Sequence, residues 1–301
     1  MLTIKSYIIQ SAKARKHEGA KEFLSFVSLL FILLGCTNTF ENKDKSSTLK
    51  DTVAIALVET KKVITAEDIE KQIRKAKYKS WVEEYVDKLF LTGKVKRENN
   101  PLFIKIDEEH TERDIYLIRP VYEAYKEMYK AALADGVKLI ITSGHRTFVE
   151  QVIEWELRWN NPETEIAFGN DVEKAKFLLQ YRAMPCISRH HWGTDIDLNS
   201  FKLAYYETRE GQKVYNWLKE NAEYFGFFQP YTAYDEQRSV GYMEEKWHWS
   251  YKPLSQPMLS KYLELVTIDD IVGFKGDIAA KTLPIISDWV CGINPQLKDE
   301  D

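Results

Sequence analysis

The sequence predicts an α+β fold, a small and mostly antiparallel sheet with helices packed on it. Three observations carry that prediction. Several segments have the 3.6-residue apolar period of helices; short β-rich runs stand between them; and nothing repeats with the rhythm of strand–helix–strand units. The 301 residues allow one large domain or two small ones, and a hydrophobic content of 44% permits a sizeable core. A net charge of −4 gives no electrostatic case for nucleic-acid binding.

The first element is a leader, residues 1–35. Lys5, Lys13, Arg15, Lys16 and Lys21 outweigh Glu18 and Glu22, and Phe23 to Leu34 then form an uncharged apolar run. Such a run is too short to span a bilayer comfortably and suits a signal peptide. It ends in Leu33-Leu34-Gly35-Cys36, which resembles a bacterial lipoprotein processing box with Cys36 as the lipidated residue. The expectation is an exported, membrane-anchored protein facing the periplasm or cell exterior. Residues 36–64, polar around Asn42-Lys43-Asp44-Lys45-Ser46-Ser47, are expected to be a tether.

Residues 65–101 are expected to be helical. Thr65 and Asp68 make a helix start, Ile69, Ile73, Trp81, Val82, Tyr85, Val86 and Leu89 an apolar face, and Gly93 the end. The main body is expected over 102–252. Val121, Tyr125, Met128 and Ala132 define a helix that Asp135-Gly136 stops. Val137 to Thr142 is a strand; Thr147 with Glu150 is a capping box for a helix through Trp159; Val172 to Tyr181 is a further helix. Ser188 to Asp197 runs from loop into strand, Gln212 to Tyr224 is helical with Gly226 as its stop, and Lys246 to Tyr251 is a short strand. Residues 253–301 are expected to be a C-terminal helical extension, interrupted at Gly273 and Gly276. The tryptophans at 155, 159, 192 and 217 are expected in the core. Cys186 and Cys291 could pair or remain free thiols.

Two segments carry chemistry: Ser188-Arg189-His190-His191-Trp192-Gly193-Thr194-Asp195-Ile196-Asp197 and Glu245-Lys246-Trp247-His248-Trp249. They hold two imidazoles, carboxylates and a further glutamate, the composition of a zinc site with three protein ligands and an open fourth position. Asp195 and Asp197 share one face of a strand, so spacing alone leaves both as candidate ligands. Glu245 and His248, three apart, would face opposite ways on a flat strand, so a bulge or turn is needed, with Glu244 as the alternative base. Trp247 and Trp249 would make a dry wall on the other face and raise the glutamate pKa. His191 is expected to point away, and His145 to hydrogen-bond within its own turn.

Ser188-x-His190-x-x-Gly193-x-x-x-Asp197 followed by Glu245-x-Trp247-His248 resembles the VanY-type D-alanyl-D-alanine carboxypeptidases of the LAS group of zinc peptidases. Ser143-Gly144-His145-Arg146-Thr147 with Gln151 is similar to a third stretch of that family. The resemblance implies zinc held by His190, Asp197 and His248, with Glu245 as general base. It also implies Arg146 on the substrate carbonyl or oxyanion, and Ser188 and Gln151 positioning the peptide. The implied substrate is a peptidoglycan stem peptide, with D-alanyl-D-alanine carboxypeptidase activity first and endopeptidase activity, or an inactive zinc-bearing cell-wall binding protein, as alternatives. His145 stands where the family has tyrosine, and Asp195 where it often has a small residue.

Overall fold

A computed structural model describes residues 65–98 and 100–298, all within the unit Ile64–Asp301. The leader, the tether and Cys36 lie outside the described residues. No helix among the described residues is long and apolar enough to cross a membrane.

Helix α1 (Ala66–Tyr85) begins after Thr65 as expected, but its apolar face is only half covered. Val82 and Val86 are buried, whereas Ile73 is 63% exposed, because only the last turns of α1 meet a neighbour. The Asp87 side chain accepts from the Phe90 N–H (2.8 Å), so it caps a separate short helix, α2 (Lys88–Leu91), instead of letting α1 run on to Gly93.

Strands β1 (Phe103–Lys105) and β2 (Tyr116–Ile118) form an antiparallel ribbon that the sequence did not predict; three residues are too few for alternation to show. Helix α3 (Arg119–Ala134) buries Val121, Tyr125, Met128 and Ala132 as predicted, and Tyr122 and Tyr129 close around His110. Strand β3 is shorter than predicted, Ile141–Ser143. At Ile140 the Asn199 side chain takes the N–H (3.3 Å), and the Ile140 C=O accepts the Asn199 N–H (2.7 Å). One left-handed residue (φ 59°) therefore replaces a strand partner there.

The capping box of Thr147 and Glu150 opens α4 (Phe148–Trp159) as read from the sequence. Helices α5 (Pro162–Ala167) and α6 (Asp171–Leu178) follow, then a 3-10 turn, Arg189–Trp192, and strand β4 (Asp195–Leu198). Helices α7 (Leu203–Tyr206) and α8 (Arg209–Asn221) lead into strand β5 (Phe227–Phe228); α8 buries Val214, Trp217 and Leu218, and Gly226 (φ 85°) turns the chain. Strand β6 (His248–Tyr251) runs directly into α9 (Lys252–Leu265). The predicted C-terminal helix thus starts at Lys252, with Pro253 in its first turn, and among the described residues beyond Val266 the helical elements are short 3-10 and π turns.

The main sheet has the order β3-β4-β6-β5 and is antiparallel throughout. Every residue of its two central strands is buried. Ile196 and Leu198 leave β4 on one face, Asp195 and Asp197 on the other, and Asp197 pairs with His248, Asp195 with Ser250. The four tryptophans assigned to the core are buried.

Candidate metal centre

The register of β4 against β6 makes Asp197 and His248 cross-strand neighbours on one face. His190 reaches that face from the 3-10 turn, which Gly193 ends in a left-handed conformation (φ 67°). A Cβ at Gly193 would lie 2.9 Å from the Phe103 ring, so any other residue would be strained and crowded at once. One donor atom each from His190, Asp197 and His248 lies within 4.8 Å of the others, and all three residues are buried.

The hydrogen bonds assign the ring protons. His190 Nδ1 is 2.8 Å from the carbonyl oxygen of Gly144, which only accepts, so Nδ1 donates and Nε2 offers its lone pair near Asp197 Oδ2 (3.2 Å). His248 Nε2 donates to Asp195 Oδ1 (2.9 Å), leaving Nδ1 between Asp197 Oδ1 (3.4 Å) and Glu245 Oε2 (3.1 Å). Asp197 Oδ1 is buried with no hydrogen-bond partner. Two imidazole lone pairs and a bare carboxylate oxygen facing one point fit a divalent cation. Burial opposes charge on His248, but its hydrogen bonds to Asp195 and Glu245, with Asp197 alongside, push its pKa up to about 10, so a metal ion would take the place of a proton on Nδ1. Burial would raise Asp197; the neighbouring imidazoles and Arg146 hold it at about 2 instead.

The choice between the two aspartates is made by hydrogen bonds. Asp195 Oδ1 accepts from His248 Nε2 and from Arg189 Nε (3.0 Å), and Oδ2 from the Thr194 hydroxyl (2.6 Å). Despite complete burial, Arg189 and these donors hold its carboxyl below the usual range. Asp195 therefore orients His248, the partner a ligating histidine needs on its other nitrogen.

Glu245 and His248 share a side because Lys246 and Trp247 form a turn between them, with the His248 N–H donating to the Glu245 carbonyl (3.3 Å). Glu244 is elsewhere, accepting from the Tyr215 hydroxyl (3.1 Å). The same turn corrects the expectation for Trp247: it lines the cavity in front of His248, while Trp249, on the strand, is buried on the opposite face.

Arg146 lines that cavity too. Its Nη1 donates to Gln151 Oε1 (2.8 Å) and its Nη2 to the Ser143 hydroxyl (3.1 Å). Gln151 is fully buried, and its amide nitrogen donates to the Ala183 carbonyl (2.7 Å). Each end of the Gln151 amide is engaged once, and through Oε1 it orients Arg146. Ser188 is at the cavity wall. His191 points away from the cluster, as expected. Its Nδ1 donates to the Arg146 carbonyl (2.7 Å), its Nε2 accepts the Cys186 N–H (3.2 Å), and burial pushes its pKa down to about 3, so it is a neutral strut. His145 is a second correction: its ring lies against Phe103 (centroids 4.2 Å apart), and both ring nitrogens are buried without a hydrogen-bond partner. Cys186 and Cys291 are free thiols, and burial raises Cys186 to about 11.

Six residues of the cavity wall had no functional signal in the sequence: Tyr181, Arg182, Ala183, Arg189, Tyr231 and Tyr242. Tyr231 sets its ring edge against His248 (centroids 4.9 Å).

The model of the family described as VanY, D-alanyl-D-alanine carboxypeptidase, matches residues 114–254, a little under half of the chain. A D-alanyl-D-alanine carboxypeptidase of Enterococcus faecalis is 33% identical over 127 residues, 42% of this chain and 44% of that protein. The Bacillus subtilis protein YodJ is 29% identical over 147 residues, 45% of this chain and 46% of its own. The chain thus spans less than half the length of either curated relative. Among solved structures, a mutant of the vancomycin-resistance D,D-pentapeptidase VanY in complex with Zn(II) aligns with 59% of this chain and 93% of its own, at 21% identity and a TM-score of 0.42.

Proposed function

We propose that the chain, whose residues 114–254 match the family model described as VanY, D-alanyl-D-alanine carboxypeptidase, is a zinc-dependent peptidase releasing the C-terminal D-alanine of peptidoglycan stem peptides. The observation that carries this reading is the clustering of His190, Asp197 and His248 within 4.8 Å, each imidazole anchored through its other nitrogen and Glu245 beside them. A structural zinc site is closed by four protein ligands; three ligands with a carboxylate alongside make a catalytic set.

His190 Nε2, His248 Nδ1 and Asp197 would hold the ion. When bound, zinc supplies Lewis acidity, which makes water a nucleophile near neutral pH and polarises an amide carbonyl. Glu245 is the general base: partly open to the cavity, it takes a proton from the attacking water and passes it to the leaving amine. Arg146, with two of its five donors tied to Gln151 and Ser143, keeps the rest for the carbonyl oxygen as charge develops there, a contribution on the order of 3 kcal/mol. Trp247, Tyr231 and Tyr242 wall the cavity with aromatic surface. Ser188, at the same wall, helps to seat the peptide.

The test is D-alanine release from a stem pentapeptide by the full chain with and without zinc. Zinc-dependent release of a single D-alanine is expected; no release, or cleavage only inside the peptide, would overturn the reading. The leader extends the proposal to a lipoprotein acting outside the cytoplasm, tethered through Cys36. Cys36→Ser should then move the protein to the soluble fraction; retention in the membrane with the leader attached would contradict it.

A further inference from the structure

The cavity that holds the ligand cluster is also lined by hydrogen-bond donors that have no acceptor among the described residues. Arg182 Nε is buried and unpartnered, and among the described residues no ion pair or side-chain hydrogen bond engages its guanidinium. Burial lowers its pKa, and the positive neighbours Arg158 and Arg146 add to that, whereas Glu154 and Glu245 oppose it. Tyr242 Oη is likewise buried and unpartnered, as is Arg189 Nη1. Arg182, Tyr242 and Arg189 all line the cavity that holds His190, Asp197 and His248.

These donors are held in place. Arg182 follows α6, with its N–H donating to the Leu178 carbonyl (2.9 Å). The Met243 N–H donates to the Gln180 carbonyl (3.1 Å), which ties the strand of chain carrying Tyr242 to the one carrying Arg182. Arg189 is fixed through Nε to Asp195 and through Nη2 to Ser250. A buried donor without an acceptor costs about 1–3 kcal/mol, more when charged, so a ligand that accepts from these donors recovers that cost on binding.

Charge says what arrives. The lining side chains include three arginines, Arg146, Arg182 and Arg189, and two carboxylates, Asp197 and Glu245, beside His190 and His248. Arg189 is neutralised by Asp195, Asp197 faces the histidines, and Arg146 is bonded to neutral partners. What sets Arg182 apart from Arg146 and Arg189 is that no side chain among the described residues holds its guanidinium, so its donors are free for an incoming anion, and a guanidinium with a carboxylate is the bidentate pair that combines strength with direction.

Resting on the peptidase reading above, we propose that Arg182, with the Tyr242 hydroxyl of the same cavity, binds the free carboxylate of the substrate's last residue and so restricts cleavage to the bond next to a chain end. Arg146 serves the scissile carbonyl and Arg182 the terminus. The ligand class is a peptide ending in a free α-carboxylate; an amidated or continued chain lacks the anion.

The experiment compares the zinc-loaded full chain with its Arg182→Ala and Arg182→Lys variants on two probes, a pentapeptide ending in D-Ala-D-Ala and the same peptide with a C-terminal amide. Zinc content and thermal melting are measured for each protein. The unmodified enzyme should favour the acid. Arg182→Ala should raise KM for the acid by about 10–100-fold with kcat changed little, and should erase the preference over the amide. Arg182→Lys, which keeps a charge but not the fork, should retain part of it. An Arg182→Ala enzyme that holds zinc and still prefers the acid, or an unmodified enzyme indifferent to amidation, would overturn the assignment of Arg182 while leaving the peptidase reading intact. Cleavage of neither probe by the unmodified, zinc-loaded enzyme would sink the peptidase reading and this inference with it.

Discussion

The two walls of the cavity are finished to different degrees. On the β4–β6 wall nearly every proton has a destination. Gly144 and Asp195 take the outer N–H groups of the two histidines, Arg189 and Thr194 hold Asp195, and what remains is lone pairs. On the wall formed by Arg182 and Tyr242 the remainder is donors. A surface of leftover acceptors is built for a cation and a surface of leftover donors for an anion. The proposed peptidase needs both, one for the metal ion and one for the end of the peptide. Arg146 stands between them, its orientation set by Gln151 from behind.

The comparison breaks most severely where the cation wall loses a ligand. His248→Ala should abolish stoichiometric zinc binding and activity together; full metal content after dialysis, by atomic absorption, would show the ligand set to be wrong. Next in size is Glu245→Gln, which leaves all three ligands and should retain zinc while kcat falls by about 10²–10⁴. Near-normal turnover would remove Glu245 from the chemistry. Asp195→Asn probes the layer behind. It keeps the shape but can present an amide N–H to His248 Nε2, so zinc affinity should fall by about 10–100-fold in a competition titration with a chelator; unchanged affinity would mean that Asp195 only anchors Arg189. The smallest effect is expected for Gln151→Ala. It frees Arg146 and orphans the Ala183 carbonyl, costing about 1–3 kcal/mol of stability by urea denaturation and roughly tenfold in kcat, with zinc content unchanged. A rise in KM alone would point instead to direct peptide contact.

The cation wall was largely legible in the sequence and the anion wall was not, for a physical reason. A metal site needs particular residue types at short spacings, and those spacings survive in a linear string: His190 with Asp197, Glu245 with His248. The strong local rules survive as well, as at the capping box of Thr147 and Glu150 and the buried stripe of α3. Two aspartates on one strand face, Asp195 and Asp197, could be separated only by their partners, which come from Thr194, Arg189 and His248 through folding. Ribbon β1–β2, three residues a side, has no period to detect, and α1 carried an apolar stripe longer than the surface available to cover it. Arg182 has no motif around it; an arginine after a helix end is ordinary until the chain closes a cavity over it.

The central claim is that one ion sits among three named atoms. A crystal of the full chain grown with zinc, measured on both sides of the zinc absorption edge, tests it directly. The account predicts a single anomalous peak about 2.0–2.2 Å from His190 Nε2, His248 Nδ1 and one carboxylate oxygen of Asp197, with Asp195 bonded to His248 and not to the metal. A peak bound through Asp195, a peak away from these residues, or no peak in zinc-saturated crystals would contradict it.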